Sequence, residues 1–187
     1  MPATKEQLSK YTNNKIFIET GSLVGDGIQR ALDAGFEKVI SIECHQGYYE
    51  TSKERFKDND NVEVILGDSS KDLYDIIKDI DEPITFWLDA HYMWNDPNQD
   101  ISNHPGNGYV PTYDELVQIE KHPIKTHTIL IDDIVHLNNL APRGEDPPTG
   151  TEDTLTPNLM KFVSGINEDY MFMTVNNSDG DFFECRV

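Results

Sequence analysis

Glu19-Thr20-Gly21-Ser22 follows the apolar run Ile16-Phe17-Ile18 and leads into Leu23-Val24-Gly25-Asp26-Gly27, so an acid stands against a glycine-rich bend. That pairing suits a cofactor of nucleotide type, because glycines permit a tight turn and let main-chain atoms approach a ligand closely. A second acid, Glu43, closes the next apolar run, Val39-Ile40-Ser41-Ile42. It lies at roughly the 20-residue distance at which a strand-helix-strand unit sets a carboxylate on a ribose. Later apolar runs also end in acids: Asp68 within Gly67-Asp68-Ser69, Asp89 within Asp89-Ala90-His91, and the pair Asp132-Asp133. An acid at a strand end is often only a turn former or a helix cap, and for Asp68 the hydroxyls of Ser69 and Ser70 offer a cap as well.

The elements that must position these residues alternate between strand and helix. Ile16 to Ile18 form a short buried strand; Val24, Ile28, Ala31 and Leu32 share one helical face, and Gly35 stops that helix. A third strand spans Val62–Leu66, and Leu73, Ile76, Ile77 and Ile80 fit a helix at i, i+3, i+4, i+7 spacing. The fourth and fifth strands are Ile84–Leu88 and Thr128–Ile131. A helix with Leu155, Leu159, Phe162, Val163 and Ile166 on one face follows, then strands over 170–175 and 181–187 around the turn signal Asn177-Ser178-Asp179-Gly180. Two long irregular stretches, 93–112 and 137–154, follow the fourth and fifth strands directly and are expected to face substrate. Trp94 and Tyr109 in the first give an aromatic platform compatible with a sugar ring.

The glycine spacing narrows the cofactor. A dinucleotide fingerprint wants glycine at the first, third and sixth positions. Counted from Gly21, the third is Leu23 and the sixth is Asp26, an anion poorly placed beside phosphate at a helix start. S-adenosylmethionine has no phosphate, and its ammonium and carboxylate match an acid at Glu19, the glycine backbone and the Ser22 hydroxyl. From roughly Lys15 onward the chain resembles the class I S-adenosylmethionine-dependent methyltransferases, whose first motif is an acid, any residue and spaced glycines, and whose second strand ends in an acid for the ribose. The resemblance implies an α/β, Rossmann-like methyltransferase fold: a seven-stranded, mostly parallel sheet with helices on both faces and a C-terminal antiparallel hairpin. It also implies a cofactor grip made of Glu19, Thr20, Gly21, Ser22, Gly25, Glu43, Cys44, Asp68 and Ser69, with Gly67-Asp68-Ser69 against the adenine.

In a methyltransferase sheet strands four and five are neighbours and finish at the cofactor face, so Asp89, Asp132 and Asp133 are expected to converge. Converging carboxylates repel, and a hard divalent cation relieves that repulsion. Oxygen ligands select magnesium, calcium or manganese over zinc or copper, and magnesium keeps waters that a substrate hydroxyl can replace. Asp89-Ala90-His91 and Ile131-Asp132-Asp133 further resemble the metal-dependent sugar and small-molecule O-methyltransferases, in which a residue just after the strand-four acid serves as base. That residue is His91 here, and an imidazole suits general-base work at neutral pH. His91 as a further metal ligand, or as a member of a polar network, is the competing assignment, with His136 the second candidate base. Two departures leave substrate and subunit arrangement open, homo-oligomers included. The first motif lacks a middle glycine, and the arm over 1–14 is shorter than the lid or oligomerisation segment of many sugar-modifying members.

Composition limits these readings. The chain has 187 residues, room for one ordinary domain. Its formal net charge of -19 argues against nucleic acid as substrate, because phosphate contacts need clustered Lys and Arg. Lys53, Arg55 and Lys57 alternate with Glu54 and Asp58. No apolar stretch reaches the length of a signal sequence or a membrane span, so a soluble cytoplasmic protein is expected. Two cysteines, Cys44 and Cys185, make no disulfide framework or soft-metal cluster, and free thiols are expected. The leading expectation is metal-assisted methylation of a small hydroxylated acceptor; a metal-independent methyltransferase and a non-catalytic S-adenosylmethionine-binding module are the alternatives.

Overall fold

A computed structural model describes residues 3–91, 110–132, 155–175 and 182–187, with side chains in the last helix described from Leu159. The strands are β1 (Ile16–Thr20), β2 (Lys38–Glu43), β3 (Val62–Leu66), β4 (Ile84–Leu88), β5 (Thr128–Ile131), β6 (Met171–Val175) and β7 (Phe182–Arg186). The helices are α1 (Lys5–Leu8), α2 (Asp26–Ala34), α3 (Gln46–Arg55), α4 (Ser69–Ile77), α5 (Thr112–Glu120) and α6 (Leu155–Ile166). One seven-stranded sheet has the order β3-β2-β1-β4-β5-β7-β6. Its first five strands run parallel, and β7 is antiparallel to both β5 and β6. The expected Rossmann-like methyltransferase sheet with a C-terminal antiparallel pair is therefore present.

Successive residues on a strand point to opposite faces, and the central strands are apolar on both. Ile18, Ile42, Phe86, Leu88, Ile129 and Ile131 pack on one face against Leu73 and Ile77 of α4, Leu116 and Ile119 of α5, and Leu159 and Val163 of α6. Phe17, Val39, Trp87, Leu130 and Phe182 fill the other face with Ile28 and Ala31 of α2 and with Leu8 and Tyr11. Trp87 and Phe182 meet edge to face with ring centroids 5.2 Å apart. Val24 does not join the expected helical face: Gly25, at φ 85°, is the N-cap of α2, so Val24 precedes the helix and is exposed.

Residues 3–14 pack into this second core. Thr4 and Gln7 form a capping box for α1, and Leu8 and Tyr11 are buried. The Tyr11 hydroxyl donates to Glu184 Oε2 at 2.6 Å, and Asn14 Nδ2 donates to the hydroxyls of Thr85 and Thr128 at the starts of β4 and β5.

At that same starting edge lies a buried histidine pair. His127 Nδ1 accepts from the Ile84 N–H at 3.1 Å, which leaves its hydrogen on Nε2 facing His122 Nδ1 at 3.0 Å. His122 Nε2 in turn donates to the carbonyls of Ile77 and Ile80, 3.1 and 3.0 Å away. Burial, then the neighbouring His122 and Lys125, pushes the pKa of His127 down to about 3 from its ordinary 6.5. A depressed folded pKa means that its contribution to stability is complete above about pH 6.5 and is lost as pH falls toward about 3, because the unfolded chain takes up the proton first. The stability gap between the parent and His127→Gln is expected to narrow by about 2 kcal/mol between pH ~7.5 and pH ~5. Denaturant titrations at the two pH values measure it, and a constant gap would contradict the assignment.

Candidate active site

In an open α/β sheet ligands bind beyond the carboxyl ends of the strands, where the strand order reverses. Here that point lies between β1 and β4, the strands whose ends carry the glycine bend and Asp89-Ala90-His91. Gly21, at φ 87°, continues the ladder by donating to the Ile42 carbonyl at 2.9 Å. A Cβ on it would stand 2.9 Å from the Asp89 carbonyl oxygen and 3.2 Å from Ala90 Cα, so only glycine lets the β1 and β4 loops meet backbone to backbone. The Asp89 N–H donates to Thr20 Oγ1 at 3.2 Å and fastens the same two loops.

Glu43 organises the glycine bend. Its Oε2 accepts from the Leu23 N–H at 2.9 Å and its Oε1 from the His45 N–H at 2.8 Å, while Ser52 Oγ donates to the Leu23 carbonyl at 2.8 Å. Leu23 is the one non-glycine residue with positive φ, 47°, among the described residues, and these bonds hold its main chain from both sides. Cys44 is half-buried beside Glu43; burial, then the nearby carboxylates, pushes its thiol up to about 12.

Glu19 is buried behind the bend rather than open to it, with Oε2 accepting from Ser41 Oγ at 2.6 Å. Ser22 Oγ lies 2.6 Å from Ser41 Oγ, so the three side chains form one buried hydrogen-bonded chain. The Ser22 hydroxyl, expected on the cofactor, is buried in that chain. Burial pushes the Glu19 carboxyl up to about 8, the Ser41 hydrogen bond opposing this and the charge of Asp89 adding to it. Across from it, a Cβ on Gly27 would fall 1.7 Å from Glu19 Oε1. Alanine is the better helix former by up to ~1 kcal/mol, yet Gly27→Ala is expected to destabilise the protein by roughly 1–3 kcal/mol through overpacking. A gain in melting temperature would show that Glu19 moves aside freely.

Asp68 turns out to cap α4: Oδ1 accepts from the N–H and hydroxyl of Ser70, and Oδ2 pairs with Lys71 Nζ at 2.5 Å. Those hydrogen bonds and the lysine charge outweigh burial and hold its pKa below the usual carboxylate range. Ser69 instead donates at 2.5 Å to Oε1 of Glu115, a fully buried acid on α5. Burial pushes Glu115 up to about 7, with hydrogen bonding from Ser69 and Thr20 opposing and the charges of Asp68 and Asp89 adding. Glu115 was absent from the sequence expectations. Its signal was its place in Thr112, Glu115, Leu116 and Ile119, an i, i+3, i+4, i+7 face that is otherwise apolar or small.

At the metal-candidate end, Leu88 pairs with Ile131, so Asp89 and Asp132 follow at adjoining strand ends, and the Asp132 N–H donates to the Leu88 carbonyl at 3.0 Å. Asp89 Oδ2 accepts from Trp87 Nε1 at 3.2 Å, and Oδ1 lies 3.9 Å from His91 Nε2, an electrostatic pairing longer than a hydrogen bond. Asp133 and His136 lie outside the described residues, as do Trp94 and Tyr109. Among the described residues no three His, Cys, Asp or Glu side chains form a metal-ligating group.

No family model and no curated protein matches the chain. Solved structures do match it. An O-methyltransferase from Bacillus cereus in complex with S-adenosylhomocysteine has 16% identity and a TM-score of 0.59 over 98% of this chain and 80% of that one. TomG, the O-methyltransferase from Streptomyces achromogenes involved in tomaymycin synthesis, in complex with S-adenosylmethionine, has 13% identity and a TM-score of 0.59 over 98% and 78%. An rRNA methylase from Streptococcus thermophilus has 14% identity and a TM-score of 0.52 over 97% and 92%. The protein thus has the fold of the class I S-adenosylmethionine-dependent methyltransferases. At these identities the likeness is one of fold, and no helix among the described residues is long and apolar enough to cross a membrane.

Proposed function

We propose that this protein is an S-adenosylmethionine-dependent O-methyltransferase of the cytoplasm that methylates a small hydroxylated acceptor, a sugar or a molecule of similar polarity, with the help of a divalent metal. The observation that carries the reading is the backbone contact of Gly21 with Asp89 and Ala90, which joins the glycine bend to the acid-histidine pair at the switch point of the sheet. The residues present fit the cofactor: Gly21 and Gly25 keep the bend free of side chains, and Glu43, already fixed by two main-chain donors, retains lone pairs for ribose hydroxyls. The donor chemistry fits a hard cation too, with Asp89 and Asp132 at adjoining strand ends and Asp133 next in sequence, and magnesium is the metal proposed.

Asp89, Asp132 and Asp133 would hold the metal, which would lower the pKa of an acceptor hydroxyl, and S-adenosylmethionine at the glycine bend would supply an electrophilic methyl group. The acceptor oxygen would take that methyl group from the sulfur and give up its own proton. The hydroxyl proton passes to His91, and the resulting imidazolium is stabilised by the Asp89 carboxylate beside it. A net charge of -19 favours a small acceptor over RNA. Asp132→Asn is expected to lower magnesium affinity and methyl transfer while sparing S-adenosylhomocysteine binding, and exhaustive chelation should act likewise. Undiminished transfer to the acceptor after chelation would remove the metal and leave His91 with Asp89 alone.

A further inference from the structure

Resting on the reading of the glycine bend as an S-adenosylmethionine site, we infer that Ser52 of α3 is a positioning residue: with Arg55 beside it, it holds Leu23 in left-handed backbone and keeps the bend in the shape that receives the cofactor. Three residues of the bend have positive φ, Gly21 at 87°, Leu23 at 47° and Gly25 at 85°. The glycines take that conformation freely, whereas in leucine it sets Cβ against the following carbonyl oxygen. A left-handed leucine persists only where its surroundings over-determine it. Released, it returns to right-handed or extended backbone and turns the peptide groups on either side of it, so the shape of the bend has to be imposed by its neighbours.

The last turn of α3 imposes it. Ser52 Oγ donates to the Leu23 carbonyl at 2.8 Å, and Glu43 Oε2 accepts from the Leu23 N–H at 2.9 Å, so both main-chain polar groups of the leucine are tied down. A carbonyl oxygen only accepts, which makes the serine hydroxyl the donor. One turn on, Arg55 Nη1 donates to the Val24 carbonyl at 2.8 Å and to Asp26 Oδ1 at 2.7 Å, where α2 begins. A Cβ on Gly25 would stand 2.6 Å from Phe56 Cε2, so the ring that follows α3 closes over the end of the bend. The start of α3 is anchored as well, because the His45 N–H donates to Glu43 Oε1 at 2.8 Å. Ser52 is fully buried and acts only through the main chain that it bonds.

The test measures S-adenosylhomocysteine affinity by calorimetry for the parent, Ser52→Ala, Leu23→Gly and the double variant, with melting curves to confirm folding. Apparent affinity falls with the fraction of molecules whose bend has the receptive shape. Ser52→Ala alone is expected to weaken binding about fivefold, the worth of one hydrogen bond. Glycine at position 23 takes positive φ about as readily as negative, so in the Leu23→Gly background the same substitution should weaken binding less than about twofold. A serine that served stability alone would change the melting temperature and leave affinity untouched in the folded protein. A folded Ser52→Ala that keeps the parental affinity, or that loses the same factor in both backgrounds, overturns the inference and leaves the methyltransferase reading standing. A folded parent that does not bind S-adenosylhomocysteine overturns that reading and this inference together. Arg55→Met, at an exposed position, provides the same comparison should Ser52→Ala fail to fold: a loss of affinity that Leu23→Gly relieves supports the clamp, and no loss, or equal loss in both backgrounds, contradicts it.

Discussion

His91→Ala is expected to slow methyl transfer by roughly 10²-fold or more, the usual contribution of a general base, while cofactor and magnesium affinities stay near parental. The expectation rests on the position of the ring, half-buried with Nε2 3.9 Å from Asp89 Oδ1, at the strand end that the Gly21 contact brings to the cofactor bend. An alcohol is a weak nucleophile until its proton has a destination, and an imidazole beside a carboxylate provides one. Single-turnover rates at saturating magnesium, from about pH 5 to about pH 9, distinguish the two roles open to this residue. A base gives a rate that climbs through the imidazole range in the parent and loses that limb in the variant. A metal ligand gives weaker magnesium binding and a rate that added metal restores. Retention of both rate and pH limb would exclude His91 from the chemistry and turn attention to His136.

The second large effect is expected at Glu43. Removing a charged partner of the ribose hydroxyls costs about 1.5–3 kcal/mol, a tenfold or greater loss of S-adenosylmethionine affinity. The structure raises the stakes, because Glu43→Ala also removes the acceptors of the Leu23 and His45 N–H groups. Leu23, held at positive φ by the bond from its N–H, then has reason to relax, and the bend loses its shape along with its carboxylate. Glu43→Gln separates the two contributions: its amide oxygen can keep one main-chain donor while the charge is gone, so it should bind better than the alanine variant and worse than the parent. Parental affinity in a folded Glu43→Ala would remove this residue from the site.

The five parallel strands were legible because each is a short apolar run closed at its carboxyl end by an acid, a hydroxyl or a glycine. The places of Glu43, Asp89 and Asp132 at the ends of β2, β4 and β5 were legible for the same reason. What pattern alone did not disclose were polar residues set into apolar runs. Ser41 sits within Val-Ile-Ser-Ile and Glu115 within the buried face of α5, where burial dominates their surroundings and the partner arrives from a distant part of the chain. The His122 and His127 pair is a similar case, since its carbonyl and N–H partners belong to α4, the turn after it and β4. Val24 was misplaced because an i, i+4 match with Ile28 ignores the left-handed cap at Gly25 between them. Ser22 is a related case: its type suggested a cofactor contact, but not its hydrogen bonding with Ser41, which in turn bonds Glu19.

Calorimetric titration with S-adenosylhomocysteine, with and without magnesium and with NAD as a control, tests the central claim most directly. The account predicts saturable binding of S-adenosylhomocysteine, its affinity cut about tenfold or more by Glu43→Ala, and no NAD binding above background. Micromolar NAD affinity, or no S-adenosylhomocysteine binding by the folded parent protein, would contradict it.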